Sequence, residues 1–196
     1  MEMSEQQAFF ELVVMLATDP RTMVLFTLLV TAAAIDARRH RIPNWLTVAG
    51  LVLGLGYSAI VPFYLTHGFL WSLGGAAIGF GVLFPLWLLR ILGAGDVKLM
   101  AMTGALLGAD VIWTALAGSL VAGGLFAIVF SLWRGRLGAM LGNVGRIVHA
   151  GSIAVAAGVP MRQTARGWQS VGRLPFGLPI AAGTICTVVA SHFGFL

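Results

Sequence analysis

Six apolar runs divide the chain, and polar or helix-breaking residues separate them. They cover about residues 23–35, 45–65, 69–92, 97–109, 111–133 and 175–195. A helix that crosses a bilayer perpendicularly needs about 20 apolar residues, and the second, third, fifth and sixth runs reach that length. The first and fourth runs are shorter, so each spans only if its helix includes flanking polar residues or if the bilayer is thinned there. In the fourth run those flanking residues include Asp96.

The composition places these runs in a membrane. Of the 196 residues, 59% are hydrophobic and only 10% are charged, which is more apolar surface than a soluble domain of this size can bury. We therefore predict an all-α fold, a polytopic membrane helix bundle with about six transmembrane helices. The single cysteine, Cys186, lies in an apolar run, so we expect neither a disulfide framework nor a CxxC zinc site.

The basic residues predict the orientation of the bundle. The net charge of +5 could indicate a nucleic-acid partner. The arginines cluster in loops, however, so we interpret the charge as a topology signal and expect no nucleic acid. If Arg38, Arg39 and Arg41 face the cytoplasm, alternation of the spans puts eleven of the twelve basic residues inside and leaves Arg21 outside. The N-terminus is then outside.

Two segments flank or interrupt the predicted spans. Residues 1–19 have the pattern of a short N-terminal helix that lies in the membrane interface. Asp19 and Pro20 indicate the N-cap and first turn of the first spanning helix. Residues 20–196 then form one membrane-embedded domain. Its longest connection, residues 134–174, holds six arginines and no acid, which predicts a basic cytoplasmic loop.

Two carboxylates lie at cytoplasmic helix ends in this topology. Asp36 closes the first span and Asp96 opens the fourth, whereas the other five acids fall on the outer side. Taken alone, Asp36 could be a solvated charge paired with Arg38 or Arg39, and Asp96 could simply cap the fourth helix. Taken together they favour a functional site, because ionisable residues at membrane depth usually face the protein interior and mark function.

Two facing carboxylates can activate water without a metal, a cofactor or a covalent intermediate. Close like charges do not both ionise easily, so such a pair tends to share a proton. One member then takes a proton from water, and the protonated member donates a hydrogen bond to a carbonyl oxygen, as in aspartic proteolysis. Gly93 and Gly95 allow a substrate strand to approach closely. The four histidines are scattered without zinc spacing, so we expect no metal site and no cofactor.

Three stretches resemble the signature regions of the type IV prepilin peptidases, which are membrane aspartyl proteases of the GxGD class. Asp36 is followed by an Ile-Pro-Asn turn, Asp96 ends a Gly-x-Gly-Asp sequence that continues with Val-Lys-Leu, and "RLPFGLPIAAG" at 173–183 is similar to the Pro-aromatic-Gly stretch that opens the family's last helix. The resemblance implies that Asp36 and Asp96 form the catalytic pair. It also implies a substrate-binding or motif-supporting role for Pro43, Asn44, Gly93, Gly95 and Lys98.

The resemblance further implies an aspartic endopeptidase of the bacterial inner membrane that removes the basic leader of prepilins and pseudopilins at the cytoplasmic face. Its implied partners are those substrates, membrane lipids, and the pilus assembly or secretion machinery. Larger members carry an insertion with two cysteine pairs and also N-methylate the mature pilin. This chain has only Ala37–Arg41 before the Ile-Pro-Asn turn. It therefore resembles the short form associated with Flp-type pili, and methyltransferase activity is not expected.

A small proton-coupled membrane transporter is the alternative, since carriers also use intramembrane carboxylates and helices broken at glycine. Carriers, however, place their acids near the bilayer midplane and often show inverted repeats. Asp36 and Asp96 lie at predicted helix ends, and the sequence shows no repeat. The pattern therefore favours the peptidase.

Overall fold

Helices make up the described part of the protein. The computed structural model describes residues 19–60, 68–88, 91–135 and 176–193, with the isolated helical positions 138, 142, 145 and 149. The helices are α1 (Pro20–Arg39), α2 (Asn44–Ile60), α3 (Phe69–Leu88), α4 (Ala94–Trp133) and α5 (Gly177–His192). These residues contain no strand, which confirms the all-α prediction. The predicted interfacial segment and nearly all of the basic loop lie outside the described residues.

The first helix begins where the sequence predicts. Asp19 is its N-cap and accepts a hydrogen bond from the Arg21 N–H at 3.1 Å, and Pro20 occupies the first turn. The helix has 20 residues because it includes the polar residues that flank the short apolar run. That extension gives α1 the length of a span.

Three helices are long and apolar enough to cross a membrane, namely α1, α3 and α4. The helices α2 and α5 are apolar but shorter, with 17 and 16 residues. Large apolar side chains on four of these helices are exposed, among them Val52, Ile60, Leu70, Val121 and Val30. Such an outer surface is suited to lipid contact, so the fold is that of a membrane helix bundle.

The helix α4 is kinked at Gly108. The backbone there has φ 81° and ψ 178°, a conformation that is almost restricted to glycine. The first arm packs against α3, and the second arm runs back along α5, where Gly118 meets Gly183 and Gly123 meets Phe176. The predicted fourth and fifth runs are therefore two arms of one kinked helix. The break lies at Gly108, directly before the predicted connection at Ala109 and Asp110.

Small residues let the helices approach α4 closely, and α4 packs against each of the other four. The backbones of Gly75 and Gly104 are in contact between α3 and α4, and Gly54 of α2 packs against the backbone of Ala105. This is the packing expected of glycines spaced four apart in membrane helices. The buried core lies between α1, α2, α4 and α5 and includes Leu25, Leu29, Leu46, Leu99, Met100, Ile112 and Ile180.

One end of the bundle is closed by an aromatic cluster. The Trp71 indole donates a hydrogen bond to Asp110 at 2.8 Å. The Arg21 guanidinium lies 4.7 Å from the ring centroid of Tyr57 and 5.5 Å from that of Trp71. Arg21 and Asp110 thus share one end of the bundle, as the predicted topology requires. The side of the membrane that this end faces stays a prediction.

Candidate active site

Asp36 lies in the last turn of α1. The helix stops because His40 adopts the left-handed conformation (φ 51°, ψ 34°) and donates its N–H to the Asp36 carbonyl at 2.8 Å, a common helix ending. The Asp36 side chain is only 5% exposed. Its Oδ2 accepts a hydrogen bond from the N–H of Gly177, the first residue of α5, at 2.8 Å. Two distant parts of the chain therefore fix this carboxylate.

Asp96 lies in the first turn of α4 and is 8% exposed. The N-cap of this helix is Gly93 and Asp96 is its third residue, so the alternative that Asp96 is itself the N-cap is wrong. Its Oδ2 does accept a hydrogen bond from the Gly93 N–H at 2.9 Å, which is the return contact of a capping box. Capping alone does not require burial, whereas the side chain of Asp96 is enclosed.

The two carboxylates face one cavity at the end of the bundle opposite the aromatic cluster. The cavity has a volume of about 1140 Å³ and is lined by the end of α1, the turn into α2, residues 91–96 and Phe176. Helices that are distant in sequence thus bring both predicted acids to one site.

All five predicted supporting residues line the same cavity, namely Pro43, Asn44, Gly93, Gly95 and Lys98. The Lys98 ammonium donates a hydrogen bond to the Asn44 side-chain oxygen at 3.0 Å and so joins α4 to the start of α2. Position 95 lies close to the turn into α2, because a Cβ there would lie 3.2 Å from the Cβ of Ile42, tighter than an ordinary contact. The two motif segments are therefore packed against each other.

Basic side chains form the rim of the cavity. They are exposed and belong to Arg38, Arg39, His40, Arg41 and Lys98. The alternative that Asp36 pairs with Arg38 or Arg39 is wrong for the described residues, among which neither arginine bonds to its carboxylate. A backbone N–H is the partner instead, and both arginine side chains are exposed at the rim.

Two residues at the start of the last helix were missed as site candidates from the sequence. Phe176 lines the cavity, and Gly177 contacts Asp36 directly. Both belong to the Pro-Phe-Gly stretch at the start of the last helix, so the motif itself was the available signal. Its distance of 141 residues from Asp36 hid the contact.

The donor set of the cavity is suited to acid–base chemistry. Within the part of the chain that the structure describes, no three His, Cys, Asp or Glu side chains come together as a metal site requires. Two buried carboxylates beside an open cavity can instead exchange protons with a water molecule and a substrate carbonyl.

The fold and this cavity define a helical membrane protein with a paired-carboxylate site. A family model narrows the class, because the model of the type IV leader peptidase family matches residues 23–131. That match covers more than half of the chain, so the protein belongs to the type IV leader peptidase family and is a membrane peptidase. The matched residues include both acids and all five supporting residues. No curated protein and no solved structure matches the chain.

Proposed function

We propose that the protein is an aspartic endopeptidase in which Asp36 and Asp96 activate water. The observation that carries the proposal is the shared cavity of two buried acids from different helices, in a chain that belongs to a leader peptidase family. Burial of two carboxylates without a counter-ion costs stability, so such a pair is seldom kept for packing. Function is the better explanation for this pair.

The hydrogen bonds divide the carboxylate oxygens into two kinds. Oδ2 of each acid accepts a backbone N–H, from Gly177 and from Gly93. Among the described residues, Oδ1 of each acid has no bonding partner. The two Oδ1 atoms are thus available for one shared proton and for the water that attacks the substrate.

In the proposed reaction, the ionised carboxylate takes a proton from water while the water oxygen attacks the scissile carbonyl carbon. The protonated carboxylate donates a hydrogen bond to the carbonyl oxygen and stabilises the tetrahedral intermediate. Collapse of the intermediate breaks the C–N bond, and the leaving amine receives the proton held by the first carboxylate. The second carboxylate keeps its proton throughout, so the pair is back in its starting protonation state when the products leave.

The proposed substrate is the basic leader segment of a type IV prepilin or pseudopilin of the Flp type. The cavity of about 1140 Å³ exceeds the roughly 300–1,000 Å³ of pockets for small ligands, which favours a peptide segment. We infer that the substrate's apolar helix docks in the bilayer and that its leader enters at the cytoplasmic face of the inner membrane. The connection between α1 and α2, residues 40–43, is short, so the proposal includes no methyltransferase activity.

Co-expression with a prepilin tests the proposal, in a host that lacks its own prepilin peptidase. Wild type should remove the leader, which is seen as a mobility shift of the pilin. Asp36→Asn and Asp96→Asn should each lower processing by at least about 10²-fold, because each removes a proton-transfer group. Asp110→Asn is the matched control, since Asp110 lies at the opposite end of the bundle and an Asn oxygen can still accept from Trp71.

All variants must reach the membrane in equal amounts for this comparison. Processing that survives in either Asp36→Asn or Asp96→Asn would show that the dyad is misassigned. If wild type leaves the prepilin uncut and dissipates a proton gradient in liposomes instead, the transporter alternative is the correct one.

A further inference from the structure

The first residue of α5 lies against the site, outside the residues that the family model matches. Gly177 donates its N–H to Oδ2 of Asp36 at 2.8 Å, in a buried hydrogen bond between α5 and α1. The family match ends at residue 131. One of the two residues in this contact, Gly177, therefore lies outside the range that the family model matches.

Position 177 has no room for a side chain. A Cβ there would lie 2.9 Å from Oδ2, 3.1 Å from the Cβ and 3.2 Å from the Cγ of Asp36. Backbone and carboxylate thus touch along the whole side chain of Asp36. Any larger residue would push the carboxylate out of its place or move α5 away from α1.

The Gly177 amide is free to act on Asp36 because of its place in the helix. The first N–H groups of an α-helix have no partner within the helix, so this donor is not taken from the helix ladder. The hydrogen bond to a carboxylate is charge-assisted and hence stronger than a neutral one. It holds Oδ2 and leaves Oδ1 without a hydrogen bond among the described residues.

We propose that Gly177 is a positioning residue of the peptidase: its N–H sets the orientation of the Asp36 carboxylate, and its lack of a side chain lets Asp36 reach the site. This inference rests on the proposed function. Asp96 has its own equivalent, the Gly93 N–H of the same segment. The Asp36 donor differs because it comes from the last helix.

An amide-to-ester replacement tests the donor without adding atoms. Glycolic acid incorporated at position 177 by cell-free synthesis into liposomes removes the N–H and keeps the glycine shape. The expected result is a fall in kcat of about 10- to 100-fold with KM unchanged within a factor of about two. The matched control is the hydroxy-acid analogue of Leu178, an ester in the same helical turn, which should keep the wild-type kcat.

Side-chain bulk is tested separately. Gly177→Ala should abolish cleavage, whereas Gly124→Ala should not, because a Cβ at position 124 meets no atom within 4 Å. A Gly177 ester with wild-type kcat would overturn the proposal, whatever the alanine variant does. A rise in KM with unchanged kcat would overturn it as well, since that result indicates a role in substrate binding.

A measurement that does not depend on activity separates this proposal from the proposed function. In protein labelled with ¹⁵N-glycine, the Gly177 amide resonance is assigned by its loss in Gly177→Ala. It should move on Asp36→Asn, which removes the charge from the acceptor, and stay in place on Asp110→Asn. If the resonance moves while wild type cuts no prepilin, the contact stands and the proposed function fails. If the position of the resonance is unchanged in Asp36→Asn, the contact itself is absent.

Discussion

Single residues fix the site through the backbone more than through side chains. Oδ2 of each acid is held by a main-chain N–H. Among the described residues, no basic side chain of the rim bonds to either carboxylate. Backbone donors have no rotamer freedom to lose, so they hold an acid in place at low entropic cost. Among the described residues, a side-chain hydrogen bond between the motif segments joins Lys98 to Asn44.

That link predicts a coupling between the two residues. Lys98→Met and Asn44→Ala each remove the hydrogen bond, so the double variant should be more stable than the sum of the single effects predicts, by about 0.5–1 kcal/mol. The magnitude is small because both side chains are exposed. Thermal unfolding in detergent measures it. Lys98→Met combined with Thr114→Ala is the control pair and should be additive, and coupling of equal size there would contradict the assignment.

At this scale the sequence predicts which residues come together at the cavity better than it predicts their hydrogen-bond partners. Asp36 and Asp96 could be selected as site residues because they lie at the ends of apolar runs, whereas Asn44 and Lys98 were selected through the resemblance to the family's motifs. The partner of Asp36 could not be predicted in this way. The two arginines beside it in sequence are plausible partners, whereas a helix start 141 residues away is not an obvious one. Proximity along the chain favours the wrong pair when a backbone donor is supplied by tertiary packing.

At the scale of helices, the packing of α3 against α4 depends on glycine backbones in contact. Gly75 faces Gly104 and Gly108, and Gly79 faces the backbone of Met100. The helices can approach this closely because no side chains stand between them. The first turn of α4, which contains Asp96, belongs to this closely packed pair of helices, α3 and α4.

Two glycines of α3 should therefore respond to alanine in opposite ways. Gly75→Ala should destabilise the protein by about 1–3 kcal/mol, because its Cβ would lie 2.6 Å from the carbonyl carbon of Gly108. Gly81→Ala should stabilise it by about 0.5–1 kcal/mol, because its Cβ meets nothing within 4 Å and alanine favours helix. Unfolding in detergent compares them, and equal effects would show that α3 and α4 are further apart.

The kink at Gly108 shows where the prediction of elements reaches its limit. Two apolar runs separated by Ala109 and Asp110 predict two spans, and the chain does fold into two arms. At the break, the Trp71 ring fills the space that a Cβ at Gly108 would need. A glycine in an apolar run does not reveal such a neighbour.

At the scale of the whole molecule, the bundle has two distinct ends. The paired acids and basic rim lie at one end, and the aromatic cluster of Arg21, Tyr57, Trp71 and Asp110 closes the other. Positive charge at one end of a bundle predicts which end faces the cytoplasm. The membrane class can be predicted from composition alone. That the two acids lie at the same end of the bundle could be predicted only by assuming that successive spans alternate in direction.

Cysteine labelling tests the orientation. In a Cys186→Ser background, a membrane-impermeant maleimide should label Gly68→Cys in intact cells, because Gly68 lies at the aromatic end. It should label Arg41→Cys, at the rim of the cavity, only after permeabilisation. The reverse pattern would place the site outside and would contradict cleavage at the cytoplasmic face. Leader removal from co-expressed prepilin verifies that both variants are folded.

If Gly177 orients Asp36 as proposed, the contact between them makes full activity depend on α5. Translation delivers Asp36 and Asp96 early, yet the amide proposed to orient the first of them is made 141 residues after it. A growing chain with both acids already in the bilayer therefore still lacks the donor that arranges them. On the proposed mechanism, full hydrolytic activity is reached only after the ribosome has supplied α5 and that helix has inserted, so nascent copies would cut neighbouring proteins more slowly than the finished protein does.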